Sequence, residues 1–318
     1  MKPIFCVGEA LIDFICTDID SSLIKGETFI KKAGGAPANV AAAITKLGGK
    51  ASFFGKVGSD AFGSYLIKEM QDHGIDCRYV VKDEFLPTTL AFVSLKNNGE
   101  RDFEFFRGAD GALKYEEIDP TVLRKYGLYH FGSATGLLNG TLRETYMELL
   151  RFAKQSGKVV SFDPNYRHLL WKDDTPLFIE RVKECLKYID FIKLSDEEAT
   201  LIFGEKDFSQ ISEEIHGEGV KTVAITCGKE GTYLSVNGQE QKVESIAIKS
   251  VDSTGAGDAF IGAMLYKLAE STNGKADLED FEKMIEYTSF SNKVGAITCT
   301  QYGAMEAMPG MEQLNEKS

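Results

Sequence analysis

No apolar run in the chain approaches the roughly 18 residues needed to cross a bilayer, and basic residues are the minority, 36 against 48 acidic. The first lack argues against a membrane-spanning helix. The second leaves a formal net charge of −12 and argues against a nucleic-acid partner, which would want a basic face. A bound nucleotide is compatible with that charge, because Mg²⁺ and local backbone donors offset a few phosphates. Histidine is scarce: His73, His130, His168 and His216 show no H-x-x-x-H or Cys/His spacing, so a zinc site is not expected. The six cysteines (Cys6, Cys16, Cys77, Cys185, Cys227, Cys299) form no C-x-x-C pair, and several stand in apolar runs such as "IFCVG" and "AITCT". They read as reduced, buried thiols of a cytoplasmic protein. "MKPIFCVGEALIDF" has no charged leader ahead of a long apolar stretch, so the expectation is a soluble protein that is not exported.

What is present is a hydrophobic content of 43%, enough for a large core. Short apolar runs alternate with helical patterns. "PIFCVG" (3–8), "KVVSFDP" (158–164), "YIDFIKLS" (188–195) and "KTVAITCG" (221–228) read as buried strands. "PANVAAAITKLGG" (37–49) reads as a helix, with Pro37 in its first turn and Gly48 as its stop. Further helices are predicted near 141–156, 176–187, 196–203, 208–217, 257–270 and 278–294. Strands separated by helices of this length predict an α/β fold with a mainly parallel sheet covered on both faces. Two regions, 11–35 and 88–108, alternate apolar and polar at period two instead, and the second carries the hairpin pair Asn98-Gly99. They predict a small β appendage, either an oligomer arm or a lid. No low-complexity linker or internal repeat divides the chain, so one domain is expected.

Glycine-rich stretches are common, so each needs weighing. Every Gly-Lys pair fails the Walker A pattern at the next residue (Ala51, Val57, Val159, Glu230, Ala276). The protein-kinase motifs are absent, and the first strand runs into "GEALID" rather than G-x-G-x-x-G, which counts against a dinucleotide oxidoreductase. "DSTGAGDAF" (252–260) leads directly into the amphipathic pattern "IGAMLYKLAE". It is either a tight turn capped by Asp258 or a helix N-terminus whose bare N–H groups face an anion.

"KAGGAPANVAAAITKLGG" (32–49) and "VDSTGAGDAFIGAML" (251–265) resemble the two signatures of the ribokinase-like (PfkB-type) sugar kinases. "GKVGSDAFG" (55–63), "DPNYR" (163–167), "KLSDEEA" (193–199), "ITCGKEG" (225–231) and "SNKVGAITCTQYGAMEAMP" (291–309) stand in that family's order, with Ser291 where relatives commonly have alanine. "GEALIDF", "DFEFFRGAD", "FGSATG" and "SFDPNYR" resemble fructokinases most closely. The resemblance implies a ribokinase-like three-layer α/β/α core and a β-sheet lid from about 11–35 and 88–108. It implies ATP-dependent phosphorylation of a sugar hydroxyl, D-fructose to D-fructose 6-phosphate, with 2-keto-3-deoxygluconate or ribose as the alternative acceptors. ATP, Mg²⁺ and K⁺ are the implied cofactors, with no nucleic-acid or membrane partner and a homodimer through the lid as one option.

The resemblance also assigns roles. Gly255, Ala256 and Gly257 form the anion hole for charge spreading over the transferring phosphoryl oxygens, and Asp258 is the base for the sugar hydroxyl. Asp13, expected at the end of the first strand, suits two vicinal hydroxyls. Gly34 and Gly35 allow close approach of the sugar, and Asn39 hydrogen-bonds a hydroxyl from the first helical turn. Phe105 is an apolar wall, Arg107 reaches the site, and Asn165 and Arg167 lie near acceptor and phosphates. Lys193, Ser195, Thr226, Gly228, Gly231, Asn292 and Gly295 fall to the nucleotide. Glu198 holds Mg²⁺ through water, and Asp252, Thr254 and Gly303 form a monovalent-cation site. Cys227 and Cys299 lie in the same neighbourhood and read as packing residues. A catalytically silent sugar sensor would share the fold but has no need of Asp258 beside an intact Gly-Ala-Gly turn.

Overall fold

The computed structural model describes residues 1–95 and 101–316. Among them, eight strands form one sheet in the order Gln239–Val243, Thr232–Val236, Thr222–Thr226, Phe191–Ser195, Val159–Phe162, Leu128–Phe131, Ile4–Val7 and Ala51–Phe54. The six from Thr222–Thr226 onward pair in parallel, and the two at the other edge are antiparallel. Successive side chains of a strand point to opposite faces. Along Ile4–Val7, accordingly, Phe5 and Val7 enter one buried cluster and Ile4 and Cys6 the other. Helices Thr141–Gln155, Thr175–Leu186, Asp196–Phe203 and Phe208–Gly217 supply the first cluster. Ala36–Lys46, Ala256–Glu270 and Phe281–Thr298 cover the opposite face. The result is a ribokinase-like three-layer α/β/α core. No helix among the described residues is long and apolar enough to cross a membrane.

A second sheet has the order Phe29–Gly34, Leu11–Cys16, Leu90–Leu95, Arg101–Phe106. Its outer pairs are antiparallel and its central pair parallel. Asn98-Gly99 lies outside the described residues. Asp13 corrects the sequence expectation: it sits within Leu11–Cys16, not at the end of the first core strand. The core strand stops because the chain turns at Gly8, whose φ is +146° and where any Cβ would press on Pro37, Ser133 and Tyr146. In the second sheet, Asp13 lies opposite Lys32 and Ala91, and Ala91 lies opposite Phe105, so these four share one face.

The cysteines are all free, but only Cys6, Cys16 and Cys185 are buried; Cys77, Cys227 and Cys299 are half-buried. Helix Ala36–Lys46 starts at Gly35, with Pro37 in its first turn, and stops at a left-handed Gly48. The cap of Ala256–Glu270 is Gly255, left-handed at φ 78°, and no side chain caps its first N–H groups. Asp258 lies inside the first turn and is not the cap.

Candidate active site

The carboxyl ends of the parallel strands deliver the polar groups, as open α/β sheets do. Gly132 and Ser133 follow Leu128–Phe131, Asp163 follows Val159–Phe162, and Ser195 and Thr226 end their own strands. The uncapped start of Ala256–Glu270 joins them: a Cβ on Gly257 would stand 3.3 Å from Lys193 Nζ. Glycine there leaves backbone donors and the ammonium facing one small space.

Asp258 is the centre of this space. Asn39 Nδ2 donates to its Oδ2 at 2.8 Å, which fastens helix Ala36–Lys46 to helix Ala256–Glu270 at the site. Burial pushes the Asp258 carboxyl up to about 6, against the opposing pull of the Asn39 bond, Arg167 and Lys193, and Asp163 pushes with it. Burial also lifts Asp13 to about 6, opposed by Arg167. The exposed Arg167 therefore faces both carboxylates. Two of the expected glycines are sterically required. A Cβ on Gly34 would overlap the Asp13 carboxylate, and Gly35, at φ +109°, has no room beside the Glu9 carbonyl.

Beneath Asp258, the buried Lys193 donates to Asp163 Oδ2 at 3.2 Å and lies 4.0 Å from Glu198 Oε2. Burial alone would lower the ammonium, but Asp163 and Glu198 more than offset it and hold it raised. Ser195 and Glu198 cap their helix reciprocally: Glu198 N–H donates to Ser195 Oγ at 3.0 Å, and Ser195 N–H to Glu198 Oε2 at 2.8 Å. Tyr166 N–H donates to Glu198 Oε1 at 2.7 Å. Burial raises the Glu198 carboxyl although Lys193 lowers it. Asn165, left-handed at φ 48°, donates its N–H to Asp163 Oδ1 at 2.9 Å and its Nδ2 to the Gly132 carbonyl at 3.0 Å.

Other expected residues are placed less directly. Arg107 points its guanidinium at the Thr135 and Asn139 carbonyls, with Nε 3.6 Å from Asp110, and so fastens the foot of the second sheet to the loop after Leu128–Phe131. Asn292 uses its whole amide within the protein, accepting from Thr232 Oγ1 at 2.6 Å and donating to Val243 and Glu244 carbonyls. It braces a wall. Gly228 and Gly231 have positive φ in the turn after Thr222–Thr226, and Thr226 Oγ1 donates to the Leu194 carbonyl. Gly295 lets Phe281–Thr298 approach the Ala256 carbonyl closely. Asp252 does gather its two expected neighbours: Oδ1 accepts from Thr254 N–H and Oγ1, and Oδ2 accepts from Gly303 N–H at 3.0 Å. Lys32 then ties the second sheet to that tail loop through Glu306 at 2.8 Å.

Glu9, Asp110 and Asp163 have no assigned role in the sequence reading, yet all three are at least 97% buried. Their signal was present as acidic residues inside "IFCVGEALI", "RGADGAL" and "VVSFDP", since a carboxylate in an apolar run needs a partner.

A family model described as pfkB family carbohydrate kinase matches residues 1–311. The probable fructokinase-5 of Arabidopsis thaliana is 38% identical over 305 residues, covering 95% of this chain and 93% of that protein. Fructokinase-2 of Oryza sativa subsp. japonica is 37% identical over 95% of this chain and 89% of its own length. Among solved structures, the fructokinase of Xylella fastidiosa with bound ATP superposes at a TM-score of 0.89 and 31% identity, covering 99% of this chain and 97% of that one. A Vibrio cholerae fructokinase bound to fructose, ADP and potassium superposes at 0.86 and 28% identity, covering 99% and 98%. A match that runs almost end to end, over a fold whose glycines and carboxylates converge at one strand edge, leaves the assignment plain: the chain belongs to the pfkB family of carbohydrate kinases.

Proposed function

We propose that the protein is an ATP-dependent fructokinase that converts D-fructose to D-fructose 6-phosphate. The observation that carries this reading is the Asp258 carboxylate, held by Asn39 beside an uncapped helix start and raised toward neutrality by burial. A carboxylate so placed accepts the proton of the sugar hydroxyl as its oxygen bonds to the γ-phosphorus and the bridging oxygen leaves with ADP. The N–H groups at Gly255, Ala256 and Gly257 receive charge on the transferring oxygens. Asp13, Gly34, Gly35, Asn39 and the apolar face of Phe105 form the sugar side, with Asn165 behind. Arg167 balances the two carboxylates until the phosphates arrive. Lys193 and the Thr226–Gly231 turn form the nucleotide side, with Asn292 and Gly295 shaping the wall.

Asp163 and Glu198 already accept protein donors, so they suit a hydrated Mg²⁺ held through water, which supplies neutralisation of phosphate charge. The oxygen donors of Asp252 and Thr254, joined to Gly303, suit a K⁺ that orders the turn before Gly255. The chain works as one kinase domain in the cytoplasm, with 11–35 and 88–108 forming a lid over the sugar. Ile15 and Ile30, cross-strand partners on the Asp13 face, are about half exposed, and this supports a homodimer through the lid.

Release of ADP from MgATP with a panel of fructose, ribose and 2-keto-3-deoxygluconate tests the assignment. Fructose should give the highest kcat/KM, and a higher value on either other acceptor overturns the fructokinase reading.

A further inference from the structure

Three segments stand together behind the proposed sugar side: the Gly34–Gly35 turn, the loop after Leu128–Phe131 and the foot of the second sheet. The first two meet at one buried side chain, and the third is joined to it through Thr135 and Asp110. Glu9, 1% exposed, lies just past the end of the first core strand. Its Oε1 accepts from the N–H groups of Ala36 and Ala134, both at 3.3 Å. Its Oε2 accepts from Ser133 Oγ and lies 3.4 Å from Thr135 Oγ1. Thr135 Oγ1 in turn donates to Asp110 Oδ2 at 2.8 Å. The other oxygen of Asp110 accepts from Thr89 Oγ1, and Thr89 Oγ1 accepts from Gly108 N–H at 2.8 Å, both at the base of the lid strands.

We propose that Glu9 is a positioning residue for the sugar acceptor, clamping the glycine turn to the 133–135 loop and, through Thr135 and Asp110, to the foot of the lid. The inference rests on the sugar-kinase reading above.

The proton count makes the clamp informative. Thr135 has one hydroxyl proton, yet two carboxylates lie within its reach. With both ionised, the shorter bond to Asp110 takes that proton, and Glu9 loses its link to Thr135. A proton on Glu9 completes the chain, with Glu9 donating to Thr135 Oγ1 and Thr135 donating to Asp110. Burial and the nearby Asp110 push Glu9 up to about 7, while Ser133 and the Ala134 N–H pull it down. The remaining titratable group against Glu9 is Tyr146 from helix Thr141–Gln155, whose phenol burial holds far above its usual value while it donates to the Val7 carbonyl. Arg107 reaches the cluster through Asp110, at 3.6 Å, and through the Thr135 carbonyl, to which its Nη2 donates at 3.1 Å.

Two variants test this, each compared with wild type on whichever sugar the wild type phosphorylates, so a wrong acceptor assignment shows in the wild type alone. Glu9→Gln mimics the protonated form: it should keep sugar KM within about twofold near neutral pH and abolish any rise of that KM on the alkaline side. Glu9→Ala should raise sugar KM on the order of tenfold or more and leave ATP KM unchanged. If Glu9→Ala does not fold, the Glu9→Gln pH profile decides by itself. A wild-type sugar KM that does not rise with pH, a Glu9→Gln profile identical to wild type, an unchanged sugar KM in Glu9→Ala, or equal losses for sugar and ATP would each overturn the proposal.

Discussion

Asp258→Asn should make the protein more stable at alkaline pH while disabling it. Asparagine keeps the size of the side chain and still offers an oxygen to Asn39 Nδ2, now 2.8 Å from Oδ2. It removes a carboxylate that burial lifts from an ordinary 3.8 to about 6. That is about two pH units, or about 3 kcal/mol at about 1.4 kcal/mol per unit. Because the side chain is only half-buried, solvent screening should reduce the gain to about 1–3 kcal/mol. The folded-state value lies above the unfolded one, so the protonated form stabilises wild type fully below about pH 4, and that contribution is lost as pH rises through about 6. Asp13 and Glu9 titrate in the same direction, but both proteins share them and they cancel in the difference. Denaturant melts across this range should show equal midpoints at about pH 4 and a variant more stable by about 1–3 kcal/mol at about pH 8. In thermal melts that is a few degrees, at roughly 2–4 °C per kcal/mol for domains somewhat shorter than this chain. A gap that does not change with pH would refute the idea that burial strains Asp258.

Gly34→Ala should force the Asp13 carboxylate aside and raise fructose KM by roughly 10²-fold with ATP KM unchanged, measured by steady-state kinetics. If Asp252, Thr254 and Gly303 hold K⁺ as proposed, wild-type turnover should rise with KCl and Asp252→Ala, which releases Thr254 and Gly303, should lose that rise, read by titrating KCl against both proteins.

Much of the core follows from patterns that alternate cleanly. After Lys221, "TVAITCG" is all apolar or small, and it becomes Thr222–Thr226 between two other strands. "ASFF", "TYLSV" and "QEQKV" were not legible as strands, because four or five residues carry little period and the last is polar at a sheet edge. The strand end at Gly8 is legible in "PIFCVG" (3–8) and Asp13 falls within the period-two region 11–35, so placing it at the end of the first strand disregards a pattern the structure bears out in Leu11–Cys16. Local rules leave the Gly-Ala-Gly turn open between an Asp258-capped turn and an anion site; the structure removes the cap, since Gly255 holds that position, and the anion role is what the resemblance implies. The roles of Glu9 and Asp110, which share Thr135, and of Asp163, which pairs with Lys193, were not legible, since they depend on hydroxyls and amines that only the fold brings near. Arg107 is a related case: the resemblance takes it to the site, while the structure places its donors on backbone carbonyls.

In the proposed reaction Asp258 takes the proton of the sugar hydroxyl. The most direct test of that step is the steady-state rate of Asp258→Asn with MgATP and fructose. The variant should show a kcat lower by roughly 10²–10⁴, the span for removing general acid–base catalysis, with KM for fructose and ATP within a few-fold of wild type. A folded variant that turns over within a few-fold of wild type would contradict it.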